Sequence, residues 1–377
     1  MRIGFDAKRA FSNYTGLGNY SRSTLKLLTE LHLEHEYFLY NPRVPDENQI
    51  KFLDLPHHAK VHIKIPQTFF FEIFSSTWRR YGITADIVRD KIDLYHGLSH
   101  EIPVNIHKTN IKSIVTIHDL IFKVFPQYYK VADRKIYDNK FKHACETADG
   151  IIAISEQTKS DIIKYYNINA DKIKVIYQGC SRIFEEQSDA ITKQAVKTKY
   201  NLPDKYLLSV GSIERRKNTK LILEALSKLS NDISLVLVGK KTEYYNELIE
   251  YINTNNLSNR VIFLHDVKFN ELPSIYQQAL MFIYPSRYEG FGIPILEALH
   301  SRIPVIAAKG SCLEEAGGPM TKYIDADSAE ELIQAINELM NADLNEIINT
   351  NLEFVKKFSR EKIADELMSY YQEIIKK

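Results

Sequence analysis

Two tandem doubly wound α/β domains are the fold class predicted by this chain of 377 residues. Three observations carry the expectation. Short runs rich in Val and Ile alternate with longer amphipathic stretches, the pattern of βα units around a parallel sheet buried on both faces. The series runs once to residue 177 and begins again at residue 206. The length exceeds that of one ordinary domain and leaves each of two enough chain for a core of its own.

In the first series the expected strands fall at residues 2–5, 37–40, 94–96, 113–117, 150–154 and 174–177. In the second they fall at 206–210, 234–238, 261–264, 281–284 and 304–307, with helical stretches such as 218–229 and 243–253 between them. The polar stretch EEQSDAITKQAVKTKYNLPDK carries little β signal and reaches a proline near its end, which places the join between Arg182 and Leu202. Residues 1–185 then form a first domain and residues 200–357 a second. Residues 358–377 read as one amphipathic helix with Ser359 as its cap and Ile363, Leu367, Tyr370, Tyr371 and Ile374 on one face. Open α/β sheets collect ligands at the carboxyl ends of their strands, so the functional cleft is expected between the two domains.

Composition narrows the class. A formal charge of +1 and 26% charged residues give no reason to expect nucleic acid as a partner. The charge is mildly uneven, basic before residue 200 and acidic after it, which suits an N-terminal half that meets an anionic membrane surface or a phosphorylated acceptor and equally suits drift. Cys145, Cys180 and Cys312 are isolated and show neither a disulfide framework nor a thiolate metal spacing. The opening run MRIGFDAKRAFS is broken by Asp6, Lys8 and Arg9 before a signal-peptide core could form, and no apolar stretch approaches the roughly 18 residues of a spanning helix. The expected location is cytoplasmic, with a peripheral contact at the inner face of the membrane left open. Within TFFFEIFSSTWRR, Phe70, Phe71, Phe74 and Trp78, with Arg79 and Arg80, could dock on lipid, but spacings of three and four favour a buried helix face.

The most informative segment is SRYEGFGIPILEAL, residues 286–299, where Glu289 and Glu297 flank a glycine turn that opens a helix. Gly290 and Gly292 free the backbone for close approach to a ligand, and Pro294 suits a first helical turn, where its missing N–H is no loss. Unpaired N–H groups at such a start favour an anion. A phosphate cradle beside carboxylates that accept hydroxyl hydrogen bonds suggests a sugar nucleotide. A second segment, VGSIERRKN, carries Gly211 and Ser212 out of a strand and delivers Arg215, Arg216 and Lys217 just before a helix. Cations placed there can neutralise a diphosphate and the charge that grows on it as a glycosidic bond breaks, in place of a divalent metal.

These segments resemble the retaining GT-B glycosyltransferases of family 4. The first matches the motif E-G-F-G-(I/L)-P-x-(I/L)-E-A at every fixed position, and the second is similar to the family's cationic element, with Ser212 where many members carry Arg. The loop NYTGLGNY, containing Gly16 and Gly18, resembles the family's T-G-(I/L)-G-x-Y loop and implies that Gly16 approaches the donor phosphate or the acceptor. The segment VTIHDLIF puts His118 at the end of a strand, where its ring can donate to a sugar hydroxyl; it resembles T-(I/V)-H-D-L, which implies that His118 contacts the hexose. His96 and His100 sit at another strand end, where acceptor lining and a buried structural role are both open. IAISEQTKSDII adds a further match, with Ser155 capping a helix.

By the same resemblance Lys217 and Arg216 hold the diphosphate, Glu289 with the backbone of Gly290, Phe291, Gly292 and Ile293 holds the sugar, and Glu297 the ribose hydroxyls. Gly239 and Val267 lie where the family holds the base, with His265 in place of a usual glycine; Arg302 likewise replaces a glycine before the strand PVIA. The resemblance therefore implies GT-B architecture, two Rossmann-like domains with an interdomain cleft, and transfer of a hexose, GDP-mannose being the first donor expected. The acceptor would be a glycan or lipid-linked sugar in cell-surface polysaccharide assembly. No cofactor and no metal are expected.

Asp325 and Asp327 spell a literal D-x-D but precede Ser328 and a helix, so capping explains them. Glu289 and Glu297 as glycoside-hydrolase carboxylates would have to stand about 5–9.5 Å apart across a scissile bond, whereas the helix start between them points to phosphate. A non-catalytic nucleotide-sugar or glycan-binding protein of the same fold is the remaining alternative; an epimerase would need a dinucleotide fingerprint that the chain lacks.

Overall fold

The computed structural model describes all 377 residues, and they divide into two units, Met1–Gln178 with Ser359–Lys377 and Gly179–Phe358.

In the first unit seven parallel strands form a sheet: β1 (Arg2–Asp6), β2 (Glu36–Tyr40), β3 (Lys60–Lys64), β4 (Leu94–Gly97), β5 (Lys112–Ile117), β6 (Gly150–Ala153) and β7 (Ile173–Val175). Their order is β3-β2-β1-β4-β5-β6-β7. The central strands are buried because both faces are covered: Ile3 and Phe5 of β1, Leu94 of β4 and Ile114, Val115 and Ile117 of β5 are shut off from solvent. β1 pairs with β2 on one side (Ile3 opposite Tyr37) and β4 on the other (Ile3 opposite Leu94), so the winding direction reverses at β1 and β4. The loops leaving those two strands open a crevice at their carboxyl ends.

The strand at 60–64 was not read from the sequence. Its residues Lys60, His62 and Lys64 are charged or polar, as suits an edge that must not pair with another chain. The edge strand β13 of the second unit (Lys322–Ile324) is only three residues long, KYI, too short a run to stand out in the sequence.

The last helix, Arg360–Lys376, belongs to the first unit. Ser359 caps it, accepting from the Lys362 N–H at 3.4 Å, and Ile363, Leu367, Tyr370, Tyr371 and Ile374 are buried along one face. Arg360 pairs with Glu30, and the Tyr370 hydroxyl accepts from the Ile151 N–H at 3.1 Å. The Tyr371 hydroxyl hydrogen-bonds Nδ1 of His96 at 2.6 Å, and Nε2 of His96 hydrogen-bonds Thr116 at 2.8 Å. His96 is thus a fully engaged core residue, kept neutral by burial, which lowers its pKa to about 3.

The segment expected to pack into the core does so only in part. Trp78 is buried and donates to Asp86 at 2.7 Å, and Phe71 packs on the core, but Phe70 and Phe74 are exposed, with Phe69 and Ile73 beside them. The run is split into two short helices, Phe69–Ile73 and Ser75–Thr77, and a π-helical turn, Trp78–Gly82, so one face cannot stay turned inward. No helix is long and apolar enough to cross a membrane.

The second unit carries β8 (Tyr206–Val210), β9 (Ser234–Val238), β10 (Val261–Leu264), β11 (Met281–Tyr284), β12 (Val305–Ala308) and β13, in the order β10-β9-β8-β11-β12-β13, all parallel. This is the same doubly wound plan, with its reversal at β8 and β11. The stretch read as a linker contains a helix, Ala190–Tyr200, capped by Asp189, which accepts from Thr192 N–H at 2.6 Å. Gln278 donates to the carbonyl of Lys193 at 3.2 Å, tying the helix to this unit. Arg302 takes a left-handed conformation (φ 63°), which explains why glycine suits that position and why an arginine is strained there.

Tyr371→Phe removes a hydroxyl from a buried partner and leaves Nδ1 of His96 unmatched. We expect a loss of about 1–3 kcal/mol, seen as an earlier urea midpoint for the transition of the first unit; an unchanged midpoint would deny the contact its structural role.

Candidate functional site

Because β8 and β11 are neighbours, with Leu207 opposite Met281, the loops that follow them come out side by side. A backbone bond stitches them together, Arg287 N–H to the carbonyl of Arg216 at 2.9 Å. The cationic loop is a 3₁₀ turn, Arg215–Lys217, closed by Asn218 in the left-handed region (φ 59°) and anchored where Asn218 donates to the carbonyl of Ala326 at 2.7 Å. Its three cations diverge. Arg215 turns away to Glu247 and the ring of Tyr244, while Arg216 and Lys217 turn toward Glu289.

Glu289 is the centre of this cluster. Its Oε1 lies 2.7 Å from Nη1 of Arg216 and 2.6 Å from Nζ of Lys217, and it accepts from Ser286 at 2.7 Å and Tyr284 at 3.1 Å. Lys217 also donates to the Tyr284 hydroxyl, and Arg216 to the carbonyl of Tyr288. Burial alone would push the carboxyl pKa up, but Lys217, Arg216 and the hydrogen bonds outweigh it and hold it at about 2. Burial, joined by the charge of Arg216, lowers that of Lys217 despite the opposing pull of Glu289. Tyr284 and Ser286 were not singled out from the sequence. Tyr284 ends an apolar strand and reads there as core; only its place at the carboxyl end of β11 marks it.

Gly292 (φ 139°) turns the chain into the helix Ile293–His300, which has Pro294 in its first turn and no side-chain cap. The loop before it is pinned by Cys312, whose Sγ is 3.1 Å from the carbonyls of both Glu289 and Phe291. Phe291 is itself buried against Phe358, so its ring is packing. Glu297, one further turn along, does not join Glu289. It accepts from the Tyr276 hydroxyl at 2.9 Å, and burial, opposed by that bond, raises its pKa to about 7.

Gly239 follows β9 with φ 159°, and a Cβ there would stand 1.9 Å from the carbonyl oxygen of Gly211, so any side chain would force apart the loops after β8 and β9. The carbonyl of Gly239 is taken by His265, whose Nδ1 donates to it at 2.7 Å. Ser212 follows Gly211 in the loop after β8, and Val267, half-buried, follows β10.

In the first unit His118 ends β5 and is buried. Its Nε2 donates to the carbonyl of Leu98 at 2.9 Å, and burial lowers its pKa to about 4. A neutral ring with its hydrogen on Nε2 can offer only Nδ1, an acceptor, which corrects the expectation that His118 donates to a sugar. Its backbone is held from both sides: its N–H donates to Nδ1 of His100 at 3.4 Å, and its carbonyl accepts from Thr158 at 3.1 Å. His100 stacks on Phe141 with ring centroids 4.1 Å apart, a structural role. Ser155 caps its helix, accepting from Thr158 N–H at 3.0 Å. Of the paired glycines, Gly18 is demanded by packing, since a Cβ would lie 1.7 Å from the carbonyl oxygen of Asn13, whereas a Cβ on exposed Gly16 meets nothing. Asp325 caps its own turn through the Asp327 N–H at 2.9 Å, Asp327 pairs with Arg287 at 2.6 Å, and Ser328 caps the following helix.

Comparison with known proteins agrees with this architecture. The model for glycosyl transferases group 1 matches residues 190–361, and the model for glycosyltransferase family 4 matches residues 14–181. The chain is 27% identical over 389 aligned positions to O-antigen chain mannosyltransferase B of Escherichia coli, covering 99% of this chain and all of that one. It is 30% identical over 241 positions to O-antigen chain mannosyltransferase RfbU of Salmonella typhimurium, covering 64% of this chain and 63% of that one. Among solved structures, HepE of Anabaena in complex with UDP and glucose superposes with a TM-score of 0.75 at 18% identity, over 99% of this chain and 100% of that one. A glycosyltransferase from Rickettsia africae does so with 0.77 at 19%, over 100% and 98%. At such identities the structural likeness speaks for the fold, and the two family models speak for descent. The chain belongs to the family-4, group-1 glycosyltransferases and has their GT-B fold.

Proposed function

We propose that the protein is a retaining hexosyltransferase that needs no metal and moves a hexose from a nucleoside diphosphate sugar to a hydroxyl of a glycan or lipid-linked acceptor in cell-surface polysaccharide assembly. The observation that carries the reading is the buried cluster of Arg216, Lys217 and Glu289 at the carboxyl ends of β8 and β11. GDP-mannose is the first donor to test, because the O-antigen relatives are named mannosyltransferases; UDP-sugars come next, because HepE holds UDP.

Arg216 and Lys217 would exchange the Glu289 carboxylate for the donor diphosphate, supplying the positive charge that a divalent cation supplies elsewhere. Glu289, so released, accepts from a sugar hydroxyl, and the N–H groups from Gly290 to Ile293 face the phosphate or sugar. Glu297 accepts from the ribose hydroxyls, backbone near Gly239 and Val267 meets the base, and Nδ1 of His118 accepts from the hexose. Gly16, with open space around it, permits close approach of donor or acceptor. In the reaction the bond from the anomeric carbon to the diphosphate oxygen breaks. A bond to the acceptor oxygen forms on the same face, and the acceptor proton passes to the leaving diphosphate.

The test is release of nucleoside diphosphate from GDP-mannose, UDP-glucose, UDP-galactose and UDP-GlcNAc with EDTA present. One donor should be consumed, and Lys217→Ala should lower kcat/KM by about 100-fold, or about 2.7 kcal/mol. Activity abolished by EDTA, or unaltered by the substitution, would refute the metal-free cationic mechanism.

Glu297 makes nucleotide binding pH-dependent. A carboxyl whose folded pKa is raised from 4.5 to about 7 favours folding as the acid: its contribution is full below pH 4.5 and is lost as the pH rises through 7. Only the ionised form can accept from both ribose hydroxyls. Nucleotide Kd should therefore rise about tenfold per unit as the pH falls below 7, and Glu297→Gln should flatten the profile; a flat profile for the unsubstituted protein would remove Glu297 from the ribose.

A further inference from the structure

At the other reversal point, the carboxyl ends of β1 and β4, a cavity of about 1280 Å³ lies wholly within the first unit. Its floor is charged and largely balanced. Arg79 pairs with Asp6 and, at 3.1 Å, with Glu101; Lys140 pairs with Glu101 at 3.2 Å. Three further cations on its wall, Arg43, Arg80 and Lys8, lack that balance. Arg80 makes no ion pair and lies 5.4 Å from the centroid of the Tyr81 ring. Lys8, half-buried, makes none either: burial, then the charges of Arg79 and Arg9, lower its pKa, outweighing Asp6 and Glu101. A cation kept there among other cations is compensated when an anion arrives.

The rim has the opposite character. Val44, Ile73 and Phe74 line the cavity yet are 74%, 59% and 50% exposed, and the Phe74 ring continues outward to Phe70, 4.9 Å away. Contiguous apolar surface beside an uncompensated cationic wall matches a ligand with an anionic head and an alkyl tail.

We propose that this cavity binds the phosphate end of an amphiphilic acceptor, an alkyl or polyprenyl phosphate or diphosphate, with the anion between Lys8 and Arg80 and the chain leaving over Ile73 and Phe74. Naming the ligand an acceptor rests on the glycosyltransferase reading, but the site itself can be tested without donor or turnover.

Trp78 is the only tryptophan of the chain and stands between Thr77 and Arg79, both of which line the cavity, so its fluorescence reports on this site. The full-length protein carrying Lys217→Ala, to weaken diphosphate binding in the second unit, is titrated with farnesyl diphosphate below its micellar concentration, with inorganic pyrophosphate and with farnesol. We expect a saturable change with farnesyl diphosphate and at least tenfold weaker binding of the other two. Adding Lys8→Met and Arg80→Gln should raise the Kd for farnesyl diphosphate at least tenfold while leaving the melting temperature in place, since neither side chain makes an ion pair. Phe74→Ser should weaken farnesyl diphosphate and not pyrophosphate.

Equal affinity for pyrophosphate would make this a free-phosphate site, and equal affinity for farnesol an apolar one. A response only to phosphatidylglycerol vesicles would make it a membrane contact. Each of these, or no response to any probe, would overturn the proposal, whereas absence of turnover by the unsubstituted protein with intact farnesyl diphosphate binding would count against the transferase reading alone.

Discussion

A single carboxylate, that of Glu289, holds the second unit's site together. It is buried, and it balances two cations from a different loop, Arg216 and Lys217, while Ser286 and Tyr284 donate to it. That arrangement is available only because β8 and β11 are adjacent parallel strands, so that loops some seventy residues apart in sequence leave the sheet together. The doubly wound order thus creates the site, and the ion pairs keep it assembled without a ligand.

Buried ion pairs stabilise a fold poorly, since desolvation offsets much of their attraction, yet removing one partner costs about 3–5 kcal/mol because a charge is stranded. Such a cluster is well suited to exchange. On the proposed reading an incoming diphosphate takes over both cations, leaving the displaced carboxylate for the sugar that arrives with it. The ligand-free protein keeps the cations ordered, so less ordering remains for the moment of binding. Glu297 behaves differently: with Tyr276 as its one hydrogen-bond donor and no cation beside it, burial holds its pKa up at about 7.

Much of this was legible in the chain. The strands that form both sheet centres read as short runs dominated by apolar residues, and the final helix shows its buried face and Ser359 cap plainly. The edge strand β3 was not legible, because Lys60, His62 and Lys64 suppress the apolar signal for the same reason that they protect an edge. The run from Phe69 to Phe74 has helical spacing, but spacing cannot say that the helix breaks after Ile73 and leaves its aromatic rings outside. His118 was visible as a strand-end histidine, but its tautomer was not, since the carbonyl that fixes it, Leu98, comes from another strand's loop. Likewise nothing in the sequence distinguishes Arg215 from Arg216; only the 3₁₀ turn sends one to Glu247 and the other to Glu289.

The most direct test of the exchange is the affinity of Glu289→Gln for GDP and UDP, measured by calorimetry beside the unsubstituted protein. Without the competing carboxylate the charge of Arg216 and Lys217 is less compensated, only Glu214 remaining beside Arg216, so the account predicts that the variant binds the preferred nucleoside diphosphate roughly tenfold more tightly, about 1.4 kcal/mol, while transfer is lost. Weaker or unchanged binding would contradict it, because Glu289 would then not occupy the place of the diphosphate.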